Sequence, residues 1–234
     1  MNHLPVVILA GGLATRLRPM TEQIPKVLVE VAGRPFAEHQ IALLKQHDLT
    51  DIVLSVGYLG EQVQHVLGDG SRLGVRLRYV FDGPTLLGTG GAIRQVLSLL
   101  DDAFFILYGD SYLDCDYLGI EKTFLDSGKP GLMTVFHNKN QWDRSNILLR
   151  DNQIIHYDKH HPTPDMEYID YGVGILKTSV LNSYPSDFPF DLATVYQDLV
   201  EHRQMAGYEV SKRFYEIGSL TGLEETRQYL SQKS

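Results

Sequence analysis

A glycine pair, one arginine and one lysine stand where a phosphate chain could be held. The apolar residues 6–10 run directly into Gly11 and Gly12, Arg16 follows, and Pro25-Lys26 comes a few residues later. Two residues without Cβ after a buried strand let main-chain N–H groups come close to phosphate oxygens. A guanidinium adds a fork of donors, and an ammonium adds a compact point charge. A lone Gly-Gly after a strand reads as a tight turn; with Arg16, Pro25 and Lys26 in company the reading moves to a polyphosphate. Two common alternatives fail on spelling. There is no Gly-x-x-x-x-Gly-Lys-Ser/Thr, and Gly88-Thr89-Gly90-Gly91-Ala92-Ile93 ends in Ile where a dinucleotide fingerprint needs Gly or Ala. That second glycine run still opens a helical stretch, whose N-terminus suits an anion. Gly109-Asp110 places one carboxylate just past the apolar residues 104–108.

The elements that must carry these residues follow from periodicity. Apolar runs at 6–10, 51–56, 77–81 and 104–108 alternate with helical stretches at 35–47, 60–67 and 91–100, the βαβα rhythm of a largely parallel sheet covered on both faces. After Asp110 the runs at 131–136, 146–149, 154–157 and 171–176 are shorter, are separated by polar loops and read as more antiparallel. Asp191 is placed to cap a helix to about residue 204, and Thr221 with Glu224 spells a capping box for a final helix. The expected fold class is α/β, a Rossmann-like three-layer α/β/α single domain with a mixed, mostly parallel central sheet. Its halves are expected at 1–110 and 111–234.

Composition narrows the classes. The 234 residues are 43% hydrophobic and 21% charged, which excludes disordered and collagen-like chains. Lys and Arg total 21 against 29 Asp and Glu, a net −8 that disfavours nucleic acid as partner. Cys115 is the single cysteine, so no internal disulfide forms; no zinc spacing occurs, and a reducing cytoplasmic setting fits. No basic segment precedes residues 4–10 and no run approaches a membrane span, so neither secretion nor a membrane partner is expected.

Residues 9–26, Leu-Ala-Gly-Gly-Leu-Ala-Thr-Arg-Leu-Arg-Pro-Met-Thr-Glu-Gln-Ile-Pro-Lys, resemble the signature of the sugar-1-phosphate nucleotidylyltransferases, Leu-Ala-Gly-Gly-x-Gly-Thr-Arg-Leu-x-Pro-x-Thr followed by Pro-Lys. Ala14 stands where that pattern has Gly, and a positive φ there would strain it. Later landmarks recur in order along nearly the whole chain. The wording Gly-Gly-Leu-Ala-Thr-Arg and the compact length look like the bacterial branch near the D-glycero-D-manno-heptose 1-phosphate guanylyltransferases.

The resemblance implies roles residue by residue. Leu9, Ala10, Gly11 and Gly12, with Gly88 and Thr89, would meet the nucleotide. Asp110 would hold Mg²⁺, and Tyr215-Glu216-Ile217-Gly218-Ser219 matches the segment bearing a second metal carboxylate, with Glu216 in place of Asp. Asp82 ends a strand, and a carboxylate can accept from both N1–H and the 2-amino group of guanine. Tyr157-Asp158-Lys159 aligns with the segment whose Lys neutralises the sugar phosphate, and Asp170 with Gly172 lies in the polar segment lining the sugar pocket. Trp142 reads equally as a sugar-stacking ring or as core.

The implied reaction is NTP + sugar 1-phosphate → NDP-sugar + pyrophosphate, with Arg16, Lys26 and Asp110 as catalytic residues, Mg²⁺ as cofactor, and GTP with a heptose or mannose-type 1-phosphate as substrates. The sugar phosphate is already ionised, so no general base is demanded. Three alternatives stay open: a uridylyl-, thymidylyl- or cytidylyltransferase using a hexose 1-phosphate, a glycosyltransferase reading Asp114-Cys115-Asp116 as its metal motif, and a noncatalytic nucleotide-sensing module. Which sugar is used is not legible, and a homo-oligomer is neither required nor excluded.

Overall fold

The computed structural model describes residues 3–12, 14–83, 87–150, 153–185 and 188–233. Leu13, inside the glycine-rich signature, lies outside the described residues. The fold class is α/β with a mixed central sheet and helices, as expected. The chain forms two compact, interleaved units: Met1–Leu86 with Leu107–Asp114 and Phe214–Ser234, and Leu87–Ile106 with Cys115–Arg213.

In the first unit, strands Val6–Ala10, Asp51–Val56 and Arg76–Phe81 pair in parallel. Apolar side chains lie on both faces of the first two: Val6, Val7, Ile8, Ile52, Val53, Leu54 and Val56 are buried. Helices Phe36–Gln46 and Gly60–Leu67 supply the crossovers that parallel pairing requires. Each buried aliphatic side chain is worth about 1.5–3 kcal/mol of transfer free energy, so this layer is a rigid base for the loops at its edge. The register pairs Ala10 with Val56 and Val56 with Phe81. All three strands therefore stop at one level, and the residues that follow them, Gly11, Gly57 and Asp82, emerge side by side.

Two short strands complete this unit. Tyr215–Glu216 pairs antiparallel with Ser111–Tyr112, setting Glu216 opposite Ser111. The final helix, Leu220–Ser231, is capped by Ser219, whose side chain accepts from Gly222 N–H at 3.0 Å. The capping box expected at Thr221 is thus displaced by two residues, because Ser219 has the extended backbone an N-cap needs.

The second unit is more antiparallel, as its texture implies. Tyr168–Lys177 runs antiparallel to Gly131–His137, and Ile147–Arg150 with Gln153–Tyr157 forms an antiparallel pair. Met205–Val210, which the sequence reading did not assign, joins Gly131–His137 in parallel. Asp191 caps helix Leu192–Glu201 through Ala193 N–H at 2.8 Å. That helix ends three residues short of expectation. Arg203 adopts φ 58, a left-handed residue that cannot continue it. Helix Tyr117–Ser127 was also unassigned; Asp116 caps it through Gly119 N–H at 3.0 Å.

Candidate active site

Three loops of the first unit meet at the ends of its parallel strands, where open α/β sheets bind ligands. Gly57 must be glycine for the loops to fit. A Cβ at Gly57 would lie 2.6 Å from Gly11 O and 2.9 Å from Asp82 Oδ2, and one at Gly11 would collide with the Asp82 carboxylate. Gly12 differs: a Cβ there would meet nothing within 4 Å among the described residues. A Cβ on Gly11 would push the Asp82 side chain aside, whereas Gly12 leaves its outer side open. Beyond them Ala14 adopts φ 48 and ψ 40, the left-handed conformation that Gly would adopt without strain. Thr21 Oγ1 donates to Ala14 O at 2.8 Å and buried Leu17 anchors the following short 3₁₀ turn, together holding the loop that carries Arg16.

Asp110 sits at the centre of the charged groups. Gly109 is fixed by N–H donation to Leu9 O at 2.9 Å, and a Cβ on it would lie 2.9 Å from both Leu9 O and Val27 Cγ1. The strand of Leu9 and Ala10 therefore dictates where Asp110 emerges. Lys26 Nζ donates to Asp110 Oδ2 at 2.9 Å, and Ser111 Oγ donates to Oδ1 at 3.1 Å. The pair keeps side-chain exposures of 17% for Lys26 and 29% for Asp110, so it contributes about 1 kcal/mol or less to stability and both groups stay reachable from solvent.

Glu216 reaches the same place from the far end of the chain. Its carboxylate accepts from Gly218 N–H and, at 2.8 Å, from Ser219 Oγ. The additional methylene of Glu over Asp lets the side chain fold back beside the N-terminus of helix Leu220–Ser231. Ile217 N–H donates to Asp110 O at 2.8 Å, tying the two carboxylate-bearing loops together. The most informative point is Gly218. The position its Cβ would take lies against Glu216 Oε2, 3.2 Å from Arg16 Nη2 and 3.5 Å from Asp110 Oδ2. Arg16, Asp110 and Glu216 thus converge on one small volume, with Lys26 attached to Asp110. Two carboxylates beside cationic phosphate ligands suit Mg²⁺, which takes few protein oxygens and completes its shell with substrate phosphates and water. Among the described residues no group of three or more His, Cys, Asp or Glu forms a closed metal cage.

Asp82 lies beside the glycine turn. Ser55 Oγ, fully buried, approaches its Oδ1 at 3.4 Å. Burial pushes the Asp82 carboxyl above its ordinary value, and the Ser55 hydroxyl opposes that shift.

The remaining candidates gather in the second unit. Thr89 Oγ1 donates to Asp191 Oδ1 at 3.0 Å and accepts from Leu192 N–H at 2.8 Å. Gly88 has φ 71, and a Cβ on it would lie 2.5 Å from Phe190 O. Gly90 N–H donates to Phe190 O at 3.0 Å, so one helix N-terminal donor of this loop is already engaged. Asp170 occupies an irregularity in strand Tyr168–Lys177, where the register shifts before Gly174 and Gly172 takes φ 103. Gly172 N–H donates to Asp170 Oδ1 at 3.0 Å. Burial raises the Asp170 carboxyl above its ordinary value; the nearby Lys159 charge, the Gly172 N–H and the Tyr157 hydroxyl pull it down, and Asp191 raises it further. Asp158 accepts from the N–H groups of His160 at 2.7 Å and His161 at 2.9 Å, shaping the turn that presents Lys159.

Trp142 is 46% exposed, so it is not core, and the Arg213 guanidinium stacks 3.6 Å above its ring. The Asp114-Cys115-Asp116 spelling is used structurally. Asp114 accepts from Lys233 Nζ at 2.6 Å, and Asp116 is the helix cap already described. Sequence reasoning missed Gly57, whose only signal was a glycine just past an apolar run.

Against this geometry, the family model for nucleotidyl transferases matches residues 5–146. The N-acetylmuramate α-1-phosphate uridylyltransferase of Neisseria meningitidis serogroup B is 28% identical over 228 residues, covering 96% of this chain and 97% of that protein. The D-glycero-α-D-manno-heptose 1-phosphate guanylyltransferase of Campylobacter jejuni is 25% identical over 217 residues, covering 92% and 95%. A crystal structure of a Bacillus anthracis protein assigned as a glucose-1-phosphate thymidylyltransferase, in complex with sucrose, superposes with a TM-score of 0.87 at 21% identity over 98% of this chain and 96% of that one, a likeness of fold. The chain belongs to the nucleotidyl transferase family. It is an enzyme of the sugar-1-phosphate nucleotidyltransferase class, within which relatives differ in the base they use. No helix among the described residues is long and apolar enough to cross a membrane.

Proposed function

We propose that this enzyme transfers a guanylyl group from GTP to a heptose or mannose-type 1-phosphate and releases pyrophosphate. The observation that carries the reading is the convergence of Arg16, Asp110 and Glu216 about Gly218, with Lys26 held on Asp110, beside a glycine turn whose outer side is open. A sugar-phosphate oxygen attacks the α-phosphorus, the bond from that phosphorus to the bridging oxygen breaks, and pyrophosphate leaves with the bonding pair. The nucleophile is already an anion, so alignment and charge screening carry the catalysis. Arg16 binds the departing pyrophosphate. Lys26 moves from Asp110 to the phosphates, and Lys159 offsets the charge of the sugar phosphate while Asp170 accepts from sugar hydroxyls.

Divalent-metal dependence is general in this family, and Asp110 and Glu216 are the residues that would hold Mg²⁺ here. When bound, the ion supplies neutralisation of charge on the triphosphate.

Asp82 supports the choice of GTP. A desolvated carboxylate with one long hydroxyl contact has acceptor capacity to spare. Guanine offers two adjacent donors, N1–H and the 2-amino group. Uracil and thymine offer one N–H flanked by carbonyl oxygens, which a carboxylate repels. Four NTPs assayed against a panel of sugar 1-phosphates with Mg²⁺, read by product mass, test this. GDP-sugar as the dominant product supports it; preferential UDP-, dTDP- or CDP-sugar formation refutes the role given to Asp82, and absence of any nucleotide sugar refutes the reaction.

A further inference from the structure

We infer that Gln40, on helix Phe36–Gln46, is a positioning residue that sets the Asp110 carboxylate for metal, an inference that rests on the reading of Asp110 above. Gln40 is 2% exposed, on the face of the helix that also buries Phe36, Ala37, Ile41 and Leu44. Its Nε2 donates to Tyr108 O at 2.9 Å and to Ser111 O at 2.7 Å. Those carbonyls bracket Gly109-Asp110, one ending strand Ala103–Tyr108 and the other opening strand Ser111–Tyr112. Both partners are acceptors, so the amide orientation is fixed and each hydrogen of the NH₂ group holds one end of the turn. Oε1 of the same side chain is buried with no hydrogen-bond partner among the described residues.

That orphan acceptor argues for the role. A position needed only for packing calls for no polar side chain, whereas here Met or Leu would take the donor away from the Tyr108 and Ser111 carbonyls. The glutamine is kept with one end uncompensated because its other end does something an apolar chain cannot: it clamps the turn that presents Asp110. The turn is also hung from Leu9 O through Gly109 N–H and from Ile217 N–H through Asp110 O. These contacts fix its middle, and Gln40 is the side chain that ties its two flanks to each other. Outer ligands of this kind orient a metal carboxylate without touching the ion.

The test uses Gln40→Met and Gln40→Glu in the whole protein. Mn²⁺ binding in the presence of a non-cleavable GTP analogue is followed by water-proton relaxation, alongside thermal midpoint and the KM for sugar 1-phosphate. Gln40→Met removes the orphaned Oε1 but strips this donor from the Tyr108 and Ser111 carbonyls, so the thermal midpoint should fall by about a few degrees, with the sugar-phosphate KM unchanged and Mn²⁺ half-saturation raised by about 10- to 100-fold. Gln40→Glu, isosteric but without a donor when ionised, should bind Mn²⁺ more weakly still at neutral pH and recover partly on acidification, when its protonated form can donate one hydrogen bond. Wild-type Mn²⁺ half-saturation in Gln40→Met, whether or not its midpoint falls, overturns the inference and leaves the reading of Asp110 standing. Failure of the wild-type complex to bind Mn²⁺ at all overturns that reading, and this inference with it.

Discussion

Gly12 of the turn proposed to hold phosphate and Gly57, packed against that turn, separate ligand approach from packing when tested as a pair. Gly57→Ala puts a methyl 2.6 Å from Gly11 O and 3.0 Å from Gly11 Cα, both backbone atoms that cannot rotate away. Reaching even a tight contact displaces the turn by about 0.4 Å or more, and overpacking of this kind costs about 1–3 kcal/mol. The displaced turn carries the amides proposed to face the nucleotide, and a misplacement approaching 1 Å should lower kcat/KM by up to about 10²-fold. Gly12→Ala meets no atom within 4 Å among the described residues, and its φ lies outside the left-handed region. It should leave the thermal midpoint level, or raise it by the equivalent of about 0.4–1 kcal/mol through the stiffer unfolded chain. On the proposed binding mode its methyl stands in the path of the triphosphate, so the NTP KM should rise by about tenfold or more, in keeping with the roughly 10²-fold ceiling for a displaced substrate. The assay is pyrophosphate release over a range of NTP concentrations, with midpoints read by differential scanning fluorimetry. A wild-type NTP KM in Gly12→Ala refutes passage of the phosphate chain over this turn, and a wild-type midpoint in Gly57→Ala refutes the close approach.

Other perturbations test other parts of the site. Ala14→Gly relieves left-handed strain of about 1–2 kcal/mol and adds unfolded-state freedom of about 0.5–1 kcal/mol. The net gain should raise the midpoint by a few degrees, and a fall would contradict the conformation at Ala14. Arg16→Ala and Lys26→Ala should each lower kcat by about 10²-fold or more with the far-UV circular dichroism unchanged; near-normal turnover in either removes that residue from the chemistry. Asp82, with its carboxyl raised by burial, contributes stability below the ordinary value of 3.8 that is lost as pH rises through the raised one. Asp82→Asn should therefore stabilise the fold at neutral pH, lose that advantage on acidification, and erase preference for GTP. Denaturant titrations at several pH values and NTP competition measure both effects.

The parts of the site built from neighbouring residues were legible in the sequence. Gly11, Arg16 and Lys26 lie close together in the chain, and the apolar runs flanking them announce their strand. The left-handed Ala14 was also foreseeable, from one residue departing from a glycine pattern. What stayed hidden depends on register and long-range pairing. Gly57 faces Gly11 only because Ala10 aligns with Val56, and Glu216 meets Asp110 only through the two-residue pairing with Ser111. Met205–Val210 is short and interrupted by Gly207, so it carries little strand signal until it docks on Gly131–His137. Asp116 gave no sign of its capping role because a cap is recognised by the helix that follows it, and Gly119 weakens the pattern of helix Tyr117–Ser127. Gln40 resembles any polar residue on a helix until its partners, about 70 positions later, are known.

Titration calorimetry with nucleotides in the presence of Mg²⁺ addresses the grip on the triphosphate tail most directly. The wild-type protein should bind GTP at one site, and Arg16→Ala and Lys26→Met should each weaken GTP by about 10- to 100-fold, the value of a charge-assisted hydrogen bond, while leaving the affinity for GMP nearly unchanged. Equal affinity of all three proteins for GTP, or no heat with any nucleoside triphosphate, contradicts the account.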